Sequence, residues 1–277
     1  MRIVYMYPEG KFKALTFSFD DGVKQDEKLV QLFNRFGLRG TFNLCTGMHH
    51  TTLPRLPLTR ENLQKVYANQ ELACHGEYHA TFDQIPRSEV VREVMHDREE
   101  LEAITDQVIT GLAYPNGSFS STVTDILRAA GIEYARTTLS HNKLRYMPED
   151  FLMWHPTCHY VNALELTPGF LEEKRPLMQL FYIWGHSYEL DRNDGWNEME
   201  KLGSLLGGRK DIWYATNIEV CRYIKALRAL QFSAGGKRVY NPSAIPVWFQ
   251  VGWSDDAVKY CVAPGETFNI TEDERTL

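Results

Sequence analysis

The sequence predicts an α/β fold: a TIM-like (β/α) barrel over residues 1–232, followed by a small β-rich appendage over 233–277. Two observations predict the barrel. Short apolar runs alternate with amphipathic segments from Lys13 to Gln231, the pattern of a parallel sheet covered by helices. About seven such units are enough strand for the sheet to close on itself. A third observation predicts the appendage. Beyond Ser233-Ala234-Gly235-Gly236 the helical period stops, and residues 239–250 and 255–270 alternate apolar and polar around Asn241-Pro242 and Pro264-Gly265. That pattern reads as two to four short strands.

Taken in order, residues 13–19 are rich in β-formers and read as the first barrel strand, and 25–36 has helical spacing and stops at Gly37, a residue suited to a left-handed C-cap. A strand over 40–45 and a helix over 59–68 follow, the helix with Thr59 as N-cap. A short strand, 71–74, leads into His75. Next come a long charged helix over 88–105 with Ser88 as N-cap, a strand over 108–113, a helix over 121–130 closed by Gly131, and a strand over 133–137. Residues 151–156 and 177–184 read as strands. A helix over 196–206, a strand over 211–215 and a helix over 217–231 complete the barrel.

Of the 277 residues 43% are hydrophobic and the formal net charge is −6. Mild acidity with no Lys/Arg cluster argues against nucleic acid or an anionic membrane as partner. No run approaches the roughly 18 apolar residues of a membrane span. Pro8, Glu9 and Lys11 interrupt the opening segment, so it lacks the apolar region of a signal peptide and a cytoplasmic location is expected. Five cysteines, odd in number and without a CxxC, are expected to be buried free thiols. Nothing in the sequence fixes an oligomeric state.

The chemistry concentrates at strand ends. Asp20 and Asp21 close an apolar run, where adjacent carboxylates repel and both lose hydration. A cation or a shared proton is the usual reason for such a pair, although Asp-Asp-Gly is also good turn chemistry. His75 and His79 stand four positions apart. Two imidazoles and one carboxylate make a facial metal site with open positions, leaving the second Asp free as a base. His186 ends another apolar strand, where a hydrogen-bonded core histidine is the competing reading. His155 and His159 share the same spacing, but Pro156 breaks any helix between them and no carboxylate accompanies them, so a rim or structural role is expected. His49-His50 reads as a solvated loop or a substrate contact. Trp154, Trp184, Tyr188 and Trp196 suit either a sugar-stacking platform or core packing.

Four motifs in order resemble the polysaccharide deacetylase (NodB-homology) family of carbohydrate esterases. Thr16-Phe17-Ser18-Phe19-Asp20-Asp21-Gly22 resembles its T-F-D-D-G signature, and His75 with His79 its H-[ST]-x-x-H motif. Ala113-Tyr114-Pro115-Asn116-Gly117 stands where R-P-P-Y-G is expected, and Ile183-Trp184-Gly185-His186 where an apolar strand ends L-x-H. The resemblance implies an irregular (β/α) barrel, a divalent cation, usually Zn²⁺ with Co²⁺ as a neighbour, and hydrolysis of acetyl groups on sugars. It implies Asp21, His75 and His79 as metal ligands, Asp20 as catalytic base and His186 as general acid. Asp191 and Glu189 are candidates for the carboxylate that holds His186. Substrate contacts are implied at Tyr114, Pro115, Asn116 and Trp184, with a backbone N–H near Asn116 in the oxyanion hole.

Three departures follow. Ala113 replaces the arginine that orients the catalytic Asp, and Arg136 on the next strand is the expected substitute. Trp184 stands where Leu lines the acyl pocket, which narrows or re-aims it. Gly76 follows His75 in place of Ser or Thr and is expected to loosen that turn. The function expected is a metal-dependent deacetylase of an N-acetylated sugar or polysaccharide. A hydrolase of a non-sugar amide on the same barrel, or a weakened carbohydrate-binding protein, are the alternatives.

Overall fold

A computed structural model describes residues 2–48, 52–254 and 257–270. His49 and His50 lie outside the described residues. The chain opens on β1 (Ile3–Met6). Eight parallel strands follow: β2 (Lys13–Asp20), β3 (Gly40–Leu44), β4 (Glu71–Cys74), β5 (Gly111–Ala113), β6 (Tyr134–Arg136), β7 (Cys158–His159), β8 (Gln179–His186) and β9 (Ile212–Tyr214). Five short strands close the chain: β10 (Gln231–Phe232), β11 (Arg238–Tyr240), β12 (Val247–Val251), β13 (Lys259–Val262) and β14 (Thr267–Asn269).

Strand β2 is the axis of the parallel sheet and every residue in it is buried. The order is β6-β5-β4-β3-β2-β8-β7, with β9 beside the first half of β2. Between β6 and β7 an irregular segment completes the ring. Arg136 bridges Trp154 in parallel, and the Thr157 N–H donates to the Tyr182 carbonyl at 2.8 Å. The strand expected over 151–156 is therefore not a strand. Asp150 caps the Leu152 N–H at 2.9 Å, winding Phe151–Met153 into a single 3₁₀ turn, and Pro156 has no N–H to offer a ladder.

Side-chain alternation along β2 separates two environments. Leu15, Phe17 and Phe19 join a core with Leu29 and Phe33 of α1 (Asp26–Phe36). The opposite face carries Thr16, Ser18 and Asp20, an unusually polar strip for a central strand. Thr16 donates to Asn217 Oδ1 at 2.8 Å, and Ser18 accepts from Asn43 Nδ2 at 2.9 Å.

Among the helices, α2 (Arg60–Val66) keeps its Thr59 cap. The next, α3 (Arg87–Thr105), begins directly after Pro86, so Ser88 sits inside it and is not the cap. Pro86 presets the chain direction there without a side-chain cap. Then come α4 (Ser121–Ala129), α5 (Ala163–Glu172), α6 (Ser187–Arg192), α7 (Trp196–Leu206) and α8 (Asn217–Arg228). Neither α5 nor α6 is visible from periodicity. Pro168 interrupts the pattern of the first, and the second is under two turns long. No described helix is long and apolar enough to cross a membrane.

The terminal strands form two three-stranded antiparallel sheets, β1-β12-β13 and β10-β11-β14. Residues 3–6, expected within the barrel unit, thus pair with residues 247–251, and the second sheet begins at Gln231, inside the stretch expected to be helical. One hydroxyl ties these parts together: Tyr223 of α8 donates to the Met6 carbonyl at 2.6 Å and accepts from the Trp248 N–H at 3.1 Å. Val247, Phe249 and Val262 pack with Val220, Ile224 and Leu227 of α8 in a second core. All five cysteines are free; Cys261 is exposed and the other four are buried.

Candidate active site

Strand register assembles the site. Asp20 is paired with Asn43 on one side and His186 on the other, Leu44 with Cys74, and Ala113 with Arg136. Parallel pairing therefore delivers Asp20, His75, Arg136 and His186 to one end of the barrel, the C-terminal end of its strands, where (β/α) barrels carry their chemistry.

The Asp20 carboxylate is buried. Oδ1 accepts from Asn43 Nδ2 at 2.8 Å, and Oδ2 accepts from Arg136 Nη2. Nε2 of His75 and Nε2 of His186 each lie 3.8 Å from Oδ2. Burial alone would push this carboxyl up. The Arg136 guanidinium, then His75 and His186, more than reverse that and hold it at about 2. Arg136 itself is fully buried, with its guanidinium 4.8 Å from the Trp184 ring centroid. It comes from the strand beside Ala113 and reaches the carboxylate that the resemblance assigns to a motif arginine.

Asp21 has φ 81, a left-handed conformation uncommon for a residue with a side chain. Its N–H donates to the Asn43 carbonyl at 2.9 Å. The turn breaks strand alternation and lets two successive carboxylates serve one site. Oδ1 lies 3.8 Å from His75 Nε2 and 3.9 Å from His79 Nε2.

His75 is buried and doubly fixed. Its Nδ1 hydrogen bonds the Ala113 carbonyl at 2.8 Å; since a carbonyl only accepts, the proton is on Nδ1 and the Nε2 lone pair faces the aspartates. Its backbone N–H donates to Leu44 O and to Asp97 Oδ2, both at 2.9 Å. Asp97 Oδ1 in turn accepts from the N–H and hydroxyl of Thr46 at 2.8 and 2.9 Å. Residue 113 thus serves through its carbonyl, which an alanine supplies as well as an arginine. Gly76 does not loosen the turn. It has φ +78, and a Cβ there would stand 3.2 Å from both Glu93 Oε2 and Pro115 Cγ, so Gly is what the tight turn requires.

His75 Nε2 is buried with no hydrogen-bond partner among the described residues. Donor atoms of Asp21, His75 and His79 all lie within 4.8 Å of one another. A buried imidazole nitrogen left without a partner is costly, and one carboxylate with two imidazoles is a donor set for Zn²⁺ or a similar divalent ion. The residues fit such a cation.

His186 meets Glu189, not Asp191. Nδ1 lies 3.3 Å from Glu189 Oε1, whereas Asp191 accepts from Gln25 and Trp196 away from the site. Burial on its own would lower the His186 pKa; Glu189 and the aspartates outweigh it and raise it. Glu189 is correspondingly held below the usual carboxylate range: burial pushes it up, and the two imidazoles of His159 and His186 overcome that.

The substrate contacts implied by resemblance divide. The Tyr114 ring is buried beside Phe82 and Phe119, and its hydroxyl donates to Leu152 O at 2.6 Å, so its side chain is part of the core and is not a substrate contact. Pro115 is buried against the Gly76 turn. Asn116, at φ 56, donates to Thr81 Oγ1 at 2.9 Å. Trp184 stands at the site with Nε1 on Ser140 Oγ at 3.1 Å and its ring 5.9 Å from that of His186. Trp154 is fully buried and belongs to no stacking platform. Asp97 and Asn43 carry site geometry that no local pattern announces: Asp97 is one of many charges on α3, and Asn43 lies inside an apolar strand. His159 does stand at the rim, as expected, but a carboxylate accompanies it, since Glu189 Oε2 lies 3.0 Å from its Nε2.

Residues 8–135 match the family model described as polysaccharide deacetylase. The family matched is the one the motifs resemble. The match ends before His186, which strand register adds. Solved structures agree in fold. A Mycobacterium smegmatis protein designated a polysaccharide deacetylase superposes with TM-score 0.60 at 14% identity, over 81% of this chain and 94% of the other. The Xyl-CE4 domain of a multidomain xylanase from the hindgut metagenome of Trinervitermes trinervoides gives 0.50 at 13% identity, over 75% and 89%. At these identities the likeness speaks for the fold alone. No curated protein matches the chain by sequence.

Proposed function

We propose that this polysaccharide-deacetylase relative is a metal-dependent hydrolase that removes an acetyl group from an N-acetylated sugar or polysaccharide. One observation carries the reading: Asp20 Oδ2 lies 3.8 Å from both His75 Nε2 and His186 Nε2, so a base, a ligand cluster and an acid converge on one point. A divalent ion held by Asp21, His75 and His79 would supply a Lewis acid for the acyl carbonyl and for water. Asp20, kept ionised by Arg136, accepts the proton of the attacking water. His186, whose raised pKa keeps it protonated further up the pH scale, gives its Nε2 proton to the leaving nitrogen. The backbone N–H near Asn116 is the proposed second donor to the developing oxyanion, where a preorganised donor counts most.

The test is an acid-release assay on chitin oligomers and simple N-acyl amides, run with metal-loaded and chelator-treated protein. Acetate release from the sugar, lost with the chelator and in Asp20→Asn, supports the reading. Release of ammonia or another acid from a non-sugar amide alone would move the substrate class to that second reading, which the large Trp184 at the pocket favours. No turnover on either, with sugar affinity retained, would overturn it.

A further inference from the structure

His186 needs both orientation and the right tautomer if Nε2 is to face the reacting nitrogen. Glu189 faces the other nitrogen, Nδ1. A carboxylate there sets the proton arrangement of the ring. Yet Glu189 lies on α6, its side chain is 23% exposed, and a long flexible side chain at a surface loses much entropy when held in one place. Something must hold it.

The hold comes from across the sheet. Glu189 Oε2 lies 3.0 Å from His159 Nε2 and accepts from the His186 N–H at 3.3 Å. His159 is the last residue of β7 and the register partner of Trp184. Its ring meets the Trp184 ring edge-on at 4.8 Å and lies 4.7 Å from that of Tyr160. One carboxylate is thus gripped at both oxygens, each facing a different imidazole.

We propose that His159 is a positioning residue that clamps Glu189 and so orients the His186 imidazole for proton donation. The inference rests on the reading of His186 as general acid given above. The clamp crosses from β7 to α6, so it locks the helix that starts at the acid to the strand beside it. The groups facing His186 are Asp20 from β2, Asp21 from the following turn, and Tyr188 and Glu189 from α6, with Arg136 from β6 behind Asp20. His159 acts only through Glu189. The same three side chains place donor atoms within 4.8 Å of one another, so a second metal ion is the competing occupant.

The experiment compares wild type with His159→Phe, His159→Gln and Glu189→Gln, by steady-state kinetics, by ¹⁵N-histidine NMR titration with the His186 signal assigned through His186→Gln, and by metal content. His159→Phe is expected to lower kcat about tenfold, the usual size of an outer-shell effect, with KM changed by less than about twofold. It is also expected to shift the His186 titration to lower pH. His159→Gln, whose amide N–H still reaches Glu189, should restore most of both. Unchanged kcat together with an unchanged His186 titration in His159→Phe overturns the proposal. So does a second equivalent of metal that His159→Phe removes. If His159→Phe does not fold, the isosteric Glu189→Gln reads the same coupling through NMR. If the wild type releases no acyl group, the proposed function fails, while the NMR comparison still decides whether His159 governs His186.

Discussion

Replacing Arg136 by Met keeps a long buried side chain and deletes the guanidinium that hydrogen bonds Asp20. Asp20 sits at about 2 against an ordinary 3.8, a difference equivalent to roughly 2 kcal/mol favouring the ionised folded state. Without the guanidinium, burial prevails and the carboxyl moves up. His75, His186 and Asn43 remain, so the loss falls at the low end of that for a charged hydrogen bond, about 1.5–3 kcal/mol, or roughly ten- to a hundredfold in kcat. The sign for stability also follows. A depressed folded-state pKa contributes stability above the ordinary carboxylate range that is lost as pH falls from about 4 towards 2. Arg136→Met therefore loses that stability at neutral pH and is less stable there; its acid limb of kcat moves to higher pH. Arg136→Lys should recover part of the activity, since an ammonium supplies charge but not the planar fork. The assays are kcat against pH and chemical denaturation at neutral and acid pH. A kcat within about twofold of wild type and an unmoved acid limb would refute the argument, as would full additivity of Arg136→Met with Asp20→Asn, because groups in contact should couple.

Three further outcomes are expected. Asp26 is buried, accepts from the Ser187 and Tyr67 hydroxyls at 2.5 and 2.7 Å, and is pushed by burial up to about 7; a raised folded-state pKa gives stability that is present below about 4 and lost as pH rises to about 7, by roughly 4 kcal/mol, so Asp26→Asn should flatten the stability–pH curve in that window, and an unchanged slope refutes the assignment. Trp184→Leu should admit bulkier acyl groups, read as a rise in kcat/KM for propionyl over acetyl substrates, and an unchanged ratio means that the indole does not wall the pocket. Gly76→Ala forces a side chain into φ +78 against Glu93 and Pro115 and should lower the thermal midpoint by several degrees, the response to about 1–2 kcal/mol; a midpoint within one degree would contradict the reading of this turn.

The sequence was most legible where periodicity and register coincide. An apolar run ending in Asp20-Asp21 carries its own direction, and the parallel order of strands follows from βα alternation. The partners that arrive from elsewhere were less legible. Arg136 was reachable because it ends a strand next to Ala113, so one step of sheet neighbourhood placed it. Glu189 was one of two candidates, and only the three-residue step from His186 into α6 separates it from Asp191. Asp97 and Asn43 could not be read at all, since one is a charge among charges on α3 and the other a polar residue in an apolar strand. Pro168 concealed α5, because a proline in a short periodic stretch reads as a break. Tyr114 was misplaced because motif position gives a backbone location and does not say which way the ring turns. The C-terminal β-rich stretch was legible as alternating short strands, but the place of β1 was not: it pairs with a strand over 240 residues away, and no local pattern records a pairing across that distance.

Whether Asp21, His75 and His79 form one cation site is decided by calorimetric titration of Zn²⁺ into metal-free wild-type protein and into His75→Gln. The geometry predicts about one equivalent bound tightly by wild type, with proton release to buffer because ligands bind in their deprotonated forms. In His75→Gln, which removes the buried nitrogen that has no hydrogen-bond partner among the described residues, affinity should fall by at least about a hundredfold with the fold retained by circular dichroism. Equal affinity in the two proteins, or no binding by wild type, would contradict the account.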